Sequence, residues 1–243
     1  MPKQDAGYKL LFSHTAMVRD FLRAYFPGDR SRVRTEDLEA VQKISGAWID
    51  ERELLRRDND IAWLCKFSSE DDVAPFVLLV EFQTHPDPIM PIRLATYSGL
   101  LCEELHRSGK MTSGELPMIL PVVLYSGLQP WTTPTQARQT RSHQPEDLIS
   151  WQLDQKILLI DQLRLEETAL PDTNNLVGLL IRIERSRSPS EAVRWILQMD
   201  RRLFEMREFQ LQKSVVSWLT RSFLPTRMPD LTIENFKPFK ISP

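Results

Sequence analysis

The chain has 243 residues, of which 42% are hydrophobic and 26% are charged. This composition is typical of a folded globular protein and excludes an intrinsically disordered one. The net charge of −2 argues against a protein that coats nucleic acid through bulk charge, although it leaves room for local contacts with phosphates. No apolar run approaches the roughly 20 residues of a membrane-spanning helix, and the N-terminus lacks a secretory pattern. We therefore expect a cytoplasmic protein without a membrane partner.

The two cysteines, Cys65 and Cys102, both lie in segments predicted to form the core. They are able to pair in principle, but two reduced thiols in a reducing compartment are the favoured interpretation. Two widely spaced cysteines cannot form a cysteine-based zinc site.

The N-terminal half begins with a helical pattern and continues with strands. Residues 1–26 are predicted to be helical, and residues 40–50 are predicted to form a strand. Residues 60–67 and 76–83 are stronger strand candidates, because both are rich in apolar and aromatic residues. The second of these is apolar on both faces, which is typical of a central strand. Since a short polar turn joins the two, they are expected to pair in antiparallel fashion.

A crossover unit follows these strands. Residues 91–108 carry an apolar stripe of helical period, and residues 118–125 read as a strand interrupted by Pro121. Because proline cannot donate to a strand ladder, this strand is predicted to be an edge strand or a bulged one. A strand, a helix and a strand in this order place the last strand parallel to residues 76–83. Residues 156–161 are predicted to extend the sheet.

From about residue 174 the pattern becomes helical again. The predicted fold is α/β, a mixed sheet flanked by helices with a helical C-terminal lobe. The predicted divisions are a core over residues 1–165, a helical lobe over residues 166–225 and a loosely ordered tail over residues 226–243.

Three polar side chains converge on one end of the predicted strand pair. Alternation along a strand places Glu81 and Gln83 on the same face, and antiparallel pairing brings Asp60 to the same end. Two carboxylates meeting there would suit a hard divalent ion, which prefers oxygen ligands. The alternative is a turn aspartate and a solvated glutamate, and spacing alone favours that alternative.

Five segments with their order and spacing carry a family resemblance: YKLLFS at residues 8–13, RDNDIAW at 57–63, LLVEFQT at 78–84, PDPIMPIR at 86–93 and LPMILPVVLYSG at 116–127. Together they resemble the Rpn family of recombination-promoting nucleases and putative transposases, also known as YhgA-like or transposase-31 proteins. The resemblance spans about residues 8–131. It implies the PD-(D/E)XK phosphodiesterase superfamily and a restriction-endonuclease-like core.

The resemblance also implies the site residues. Asp60, Glu81 and Gln83 match the active-site positions of the family, with Asp60 and Glu81 as metal ligands and Gln83 where many superfamily members carry lysine. The implied activity is hydrolysis of DNA by water activated at Mg²⁺, or Mn²⁺, in an endonuclease linked to recombination or mobile elements. DNA is the implied partner.

Three further residues are candidates for contacts with phosphate or DNA: Lys9, His85 and Arg93. Clusters of arginines over residues 30–34 and 52–57 are weaker candidates of the same kind. The competing hypothesis is a non-catalytic module that binds DNA or a protein on the same fold. In either case the C-terminal helices are candidates for forming a homo-oligomer.

Overall fold

The computed structural model describes residues 3–27, 38–44, 60–67, 75–109, 116–140, 147, 151 and 153–229, with the backbone alone for residues 3–5, 38–42, 60, 67 and 140. Its contacts divide the chain into two compact units. The helical unit comprises Met1–Glu36 and Gln162–Pro243, and the sheet unit comprises Asp37–Asp161.

A mixed sheet forms the centre of the sheet unit. Its described strands are β1 (Leu38–Ile44), β2 (Asp60–Phe67), β3 (Phe76–Gln83), β4 (Met118–Tyr125) and β5 (Leu158–Asp161), paired in that order. The β1–β2 and β2–β3 pairs are antiparallel, whereas β3–β4 and β4–β5 are parallel. The α/β class, the antiparallel β2–β3 pair and the parallel crossover to β4 are therefore confirmed. The predicted strand over residues 40–50 corresponds to β1, and residues 45–50 lie outside the described part of the chain.

Helix α3 (Met90–Arg107) covers one face of this sheet. Its apolar stripe repeats every three or four residues and packs against alternate residues of the strands, which is the arrangement that buries one face of each element. The helical side of this core consists of Met90, Leu94, Tyr97, Leu101 and Leu105. The sheet side includes Ala62, Val77, Leu79, Val123 and Tyr125. Seven consecutive residues of β3 are buried, as expected for a strand at the middle of a sheet.

The prediction for β4 is wrong in one respect. Pro121 does not mark an edge strand, because β4 pairs with β3 on one side and β5 on the other. The β3–β4 register is also regular through Pro121, without a bulge. The β4–β5 ladder begins at Val122, so Pro121 lies just outside it and its missing N–H costs no bond to β5.

The helical unit combines the N-terminal and C-terminal helices. Its described helices are α1 (Lys3–Leu11), α2 (Thr15–Tyr25), α4 (Leu176–Arg185), α5 (Pro189–Glu205), α6 (Phe209–Trp218), a π-helical turn (Leu219–Phe223) and α7 (Leu224–Arg227). Helices α4 and α5 begin with side-chain caps. The Asn175 side chain accepts from the N–H of Gly178 before α4, and the Ser188 hydroxyl accepts from the N–H of Glu191 before α5.

Two buried polar side chains, Asp20 and Tyr8, join the N-terminal helices to the rest of this unit. Asp20 on α2 accepts a 2.7 Å hydrogen bond from the N–H of Leu176 at the start of α4. The Tyr8 hydroxyl on α1 lies 2.9 Å from Oε1 of Glu184 and 3.1 Å from Oε1 of Gln162. Because α1 and α2 pack with the C-terminal helices, this division differs from the predicted boundary between residues 165 and 166. Residues 230–243 of the predicted tail lie outside the described residues.

Candidate active site

The ends of β2 and β3 bring the predicted site positions together. Asp60 is the direct register partner of Glu81, just as Ala62 is of Leu79. Ala62 and Leu79 both belong to the core beneath α3, so strand alternation assigns Asp60 and Glu81 to that same face. Directly opposed residues of an antiparallel pair have Cβ atoms about 4.5–5.5 Å apart. The side chain of Asp60 lies outside the described residues, so this placement rests on its backbone register.

Glu81 is a fully buried carboxylate with close hydrogen-bond donors. Its side chain has 0% exposure, and Oε1 accepts from Nε2 of Gln83 at 2.5 Å and from Nη2 of Arg93 at 2.7 Å. A buried charge is tolerated only when it is paired and hydrogen-bonded. Gln83 and Arg93 therefore meet a requirement that the apolar surroundings of β3 impose on Glu81.

Arg93 lies one turn into α3 and bridges two carboxylates. Its Nη1 donates to Oδ2 of Asp87 at 2.5 Å while Nη2 binds Glu81, and its guanidinium carbon lies 5.9 Å from the ring centre of Tyr97. Burial alone would lower the pKa of Arg93, but the charge of Glu81 and the hydrogen bond to Asp87 raise it above its usual range. Its side chain keeps 25% exposure, so the guanidinium lies between the buried carboxylate and solvent.

Asp87 shapes the loop that carries Arg93 into place. Its Oδ1 accepts from the N–H of Ile89 at 3.0 Å, an Asx-type turn just before α3. The flanking prolines, Pro86 and Pro88, restrict the same loop. One carboxylate thus fixes the loop with one oxygen and the arginine with the other. Sequence reasoning missed Asp87, since an acid six residues before an arginine gives no periodic signal.

The segment that follows β4 contacts the backbone at the end of β3. The N–H of Ser126 donates to the carbonyl of Gln83 at 3.0 Å. A Cβ added at Gly127 would lie only 2.3 Å from the carbonyl oxygen of Thr84, so only glycine permits this approach. The Tyr125 hydroxyl donates to the carbonyl of Gln129 at 2.7 Å. This hydroxyl would also clash with a Cβ added at Gly127.

Sequence comparison gives the same family as the motifs. The model of the family described as "Putative transposase, YhgA-like" matches residues 2–214. The chain belongs to this family. No curated protein and no solved structure matches the chain.

The other candidate contacts of this YhgA-like chain are His85 and Lys9. His85 is exposed beyond the end of β3, with its ring Nδ1 3.1 Å from Oγ1 of Thr84. Lys9 is half-buried on α1 of the helical unit. Arg93, the third predicted phosphate contact, binds Glu81. The arginine clusters at residues 30–34 and 52–57 lie outside the described residues.

The donors at this site are chemically suited to a hard cation. Glu81 offers a carboxylate, and rotating the amide of Gln83 would replace its N–H donor by an oxygen beside Oε1 of Glu81. With the carboxylate of Asp60, such a set of oxygen ligands is the kind that Mg²⁺ prefers. Among the described side chains, which exclude that of Asp60, no group of three or more histidine, cysteine or acidic residues is arranged to hold a metal. Arg93 now holds one oxygen of Glu81 and would have to move for a metal to use it.

Two further observations bear on the remaining predictions. Cys65 and Cys102 are both free thiols, as the favoured interpretation predicts. None of the helices in the described part of the chain is both long enough and apolar enough to span a membrane.

Proposed function

We propose that this chain is a metal-dependent nuclease with a PD-(D/E)XK core, hydrolysing phosphodiester bonds of DNA. The observation that carries the proposal is the register of β2 against β3, with Asp60 directly opposite Glu81. Two acidic positions on one sheet face, beside an amide and a half-exposed arginine, form the donor set that phosphodiester hydrolysis needs. Membership of a family described as transposase-like supports DNA as the substrate.

In this mechanism the carboxylates of Asp60 and Glu81 would hold Mg²⁺ or Mn²⁺. The metal, when bound, supplies an acidified water and neutralises charge on a phosphate oxygen. Gln83 orients the attacking water or the phosphate by hydrogen bonding and does not act as a base, because an amide does not titrate in the working range. Burial of Glu81 excludes bulk water from one side of the site.

Arg93 supplies the cation that a lysine gives in many members of the superfamily. Without nucleic acid, its guanidinium compensates the charge of Glu81. With a phosphate at the site, Nη2 turns from Glu81 toward a phosphate oxygen, an acceptor to which arginine donates strongly. Asp87 is then a positioning residue, since it retains Nη1 while Nη2 changes partner.

One observation favours the competing hypothesis of a non-catalytic module. Oε1 of Glu81 is already shared by two donors, the amide of Gln83 and the guanidinium of Arg93. A buried ion pair of this kind compensates the charge of Glu81 without a metal, and it would serve a purely structural role. In that case the fold would bind DNA or a protein without cleaving it.

Cleavage and metal binding together separate the two hypotheses. Plasmid DNA is incubated with the wild type in Mg²⁺ or EDTA, alongside Asp60→Asn, Glu81→Gln and the control Glu103→Gln, an exposed acid on α3. Mn²⁺ binding to the same proteins is measured by calorimetry without DNA. The nuclease hypothesis expects Mg²⁺-dependent cleavage and a Mn²⁺ site in the wild type and the control, and neither in the two site variants. A wild type that binds DNA but neither cleaves it nor binds Mn²⁺ supports the module, and cleavage that persists in both site variants refutes the site assignment.

A further inference from the structure

The two units of the chain carry opposite net charges. The helical unit contains 20 lysines and arginines against 14 acidic residues, a net charge of +6. The sheet unit contains 11 against 19, a net charge of −8. The near-neutral total thus conceals a basic helical unit, and such asymmetry between parts of a chain is a recognised indication of nucleic-acid contact.

Part of the exposed positive charge of the helical unit lies on helix α5 and just before it. The buried side of this helix consists of Ala192, Ile196, Met199, Asp200 and Leu203. Arg194 and Arg201 lie seven residues apart on the opposite side and are both exposed. Two turns of helix separate them by about 10 Å along the axis. Arg187, also exposed and one residue before the N-cap Ser188, continues the seven-residue spacing.

These three residues, here called the arginine row, are not neutralised by acids among the described residues. The nearest acids on the helix have other partners: Glu205 lies 3.9 Å from Arg202, and Glu191 accepts from the backbone N–H of Arg187. No ion pair of Arg187, Arg194 or Arg201 occurs within the described part of the chain. Arg194 instead stacks over the ring of Trp195 at 4.2 Å, which restricts its side chain without cancelling its charge.

We propose that the arginine row binds the phosphate backbone of duplex DNA. The choice of DNA as the partner rests on the proposed function, whereas the location rests on the charge and spacing of α5. Exposed guanidinium groups on one face of a helix and just before its N-cap can each meet a phosphate of a duplex, and arginine forks match phosphate oxygens well. Such contacts give affinity without sequence specificity, and they release counterions when they form.

Salt-dependent binding tests the proposal without requiring cleavage. A short labelled duplex is titrated in EDTA, at salt concentrations from about 50 to 200 mM. The variant R187Q/R194Q/R201Q is compared with the control R164Q/K213Q/R221Q, which removes the same charge from exposed positions of the helical unit outside α5. Circular dichroism melts establish that both variants are folded.

The arginine row contributes three phosphate contacts if the proposal is correct. At about 0.9 counterions per contact, the slope of log affinity against log salt should become shallower by about 2.7 in the row variant, with affinity at 0.1 M salt falling by about 100-fold or more. The control should keep a slope close to that of the wild type. Equal losses in both variants would mean that only bulk charge matters and would overturn the proposal.

Two further outcomes are informative. The acidic sheet unit of a second copy is the competing partner for the row. A salt-sensitive dimer seen by sedimentation, lost in the row variant while its affinity for DNA is unchanged, would overturn the proposal in favour of that partner. If the wild type never cleaves DNA but the row variant alone shows the shallower slope, the proposed nuclease function fails and the DNA surface stands.

Discussion

Replacing Arg93 by glutamine should reveal how strongly Glu81 depends on its counterion. Glu81 has a fully buried side chain, and Arg93 is its cationic partner at 2.7 Å. Removing one partner of a buried ion pair leaves an uncompensated charge and costs about 3–5 kcal/mol of stability. Because the arginine keeps 25% exposure, water can partly replace it, and we expect a loss near the lower end, about 3 kcal/mol.

The measurement is urea denaturation at several pH values, with Arg107→Gln as the control on the same helix. Arg107 is 74% exposed and pairs with Glu104 at 3.5 Å, so its removal should cost about 0–1 kcal/mol.

Mn²⁺ provides a second readout of the same variant. If Glu81 is a metal ligand, removing the guanidinium that holds its oxygen should let Mn²⁺ stabilise the variant more than the wild type. An Arg93 variant that is no less stable than the Arg107 control, at any pH, would refute the inference that Arg93 compensates Glu81.

Three other predictions follow from buried groups. Gly127→Ala should lower stability by about 1–3 kcal/mol in thermal denaturation, because the added Cβ would meet a backbone oxygen at 2.3 Å. Gly99→Ala should raise stability by about 0.5–1 kcal/mol, because Gly99 is an exposed helix position with nothing within 4 Å of the added Cβ. Equal effects of the two substitutions would contradict the packing argument. Burial and the nearby carboxylate of Glu184 raise the pKa of Tyr8 in the folded protein well above 10.0. The neutral Tyr8 hydroxyl therefore contributes fully to stability below pH 10, and this contribution is lost as the pH rises through the pKa of the folded state. Tyr8→Phe should therefore lose less stability above pH 10 than the wild type does, and parallel stability curves would contradict this. Burial raises the pKa of Cys65 to about 12, so a thiol reagent should label the less buried Cys102 first, and equal rates would refute the assignment.

The local pattern of apolar residues and connection lengths was sufficient to predict most strands of the sheet unit and how they pair. An antiparallel pair follows from the two apolar runs, at residues 60–67 and 76–83, and from the few residues between them. So short a connection does not allow the two strands to pair in parallel. The helix between β3 and β4 likewise requires a crossover and a parallel strand. Pro121 led to the wrong prediction of an edge strand. The ladder between β4 and β5 begins at Val122, and tertiary packing, which sets the length of this ladder, is not visible in the sequence.

The grouping of the helices was not predictable in the same way. Amphipathic stripes indicate that α1 and α2 each bury a face, but they do not identify the partner. Only the folded chain reveals that Tyr8 meets Glu184 and that Asp20 caps the helix beginning at Leu176. These contacts join residues more than 150 positions apart, for which a single sequence carries no local signal.

The candidate site was likewise predictable from the sequence only in part. Strand alternation by itself determined that Glu81 and Gln83 share a face, and the antiparallel pairing predicted that Asp60 lies at the same end. The register that puts Asp60 directly opposite Glu81 comes from the structure. Only the tertiary structure decided that Arg93 neutralises Glu81 and that Asp87 holds Arg93. The physical reason is that alternation is a property of one strand, whereas an ion pair depends on how a loop and a helix are placed over that strand.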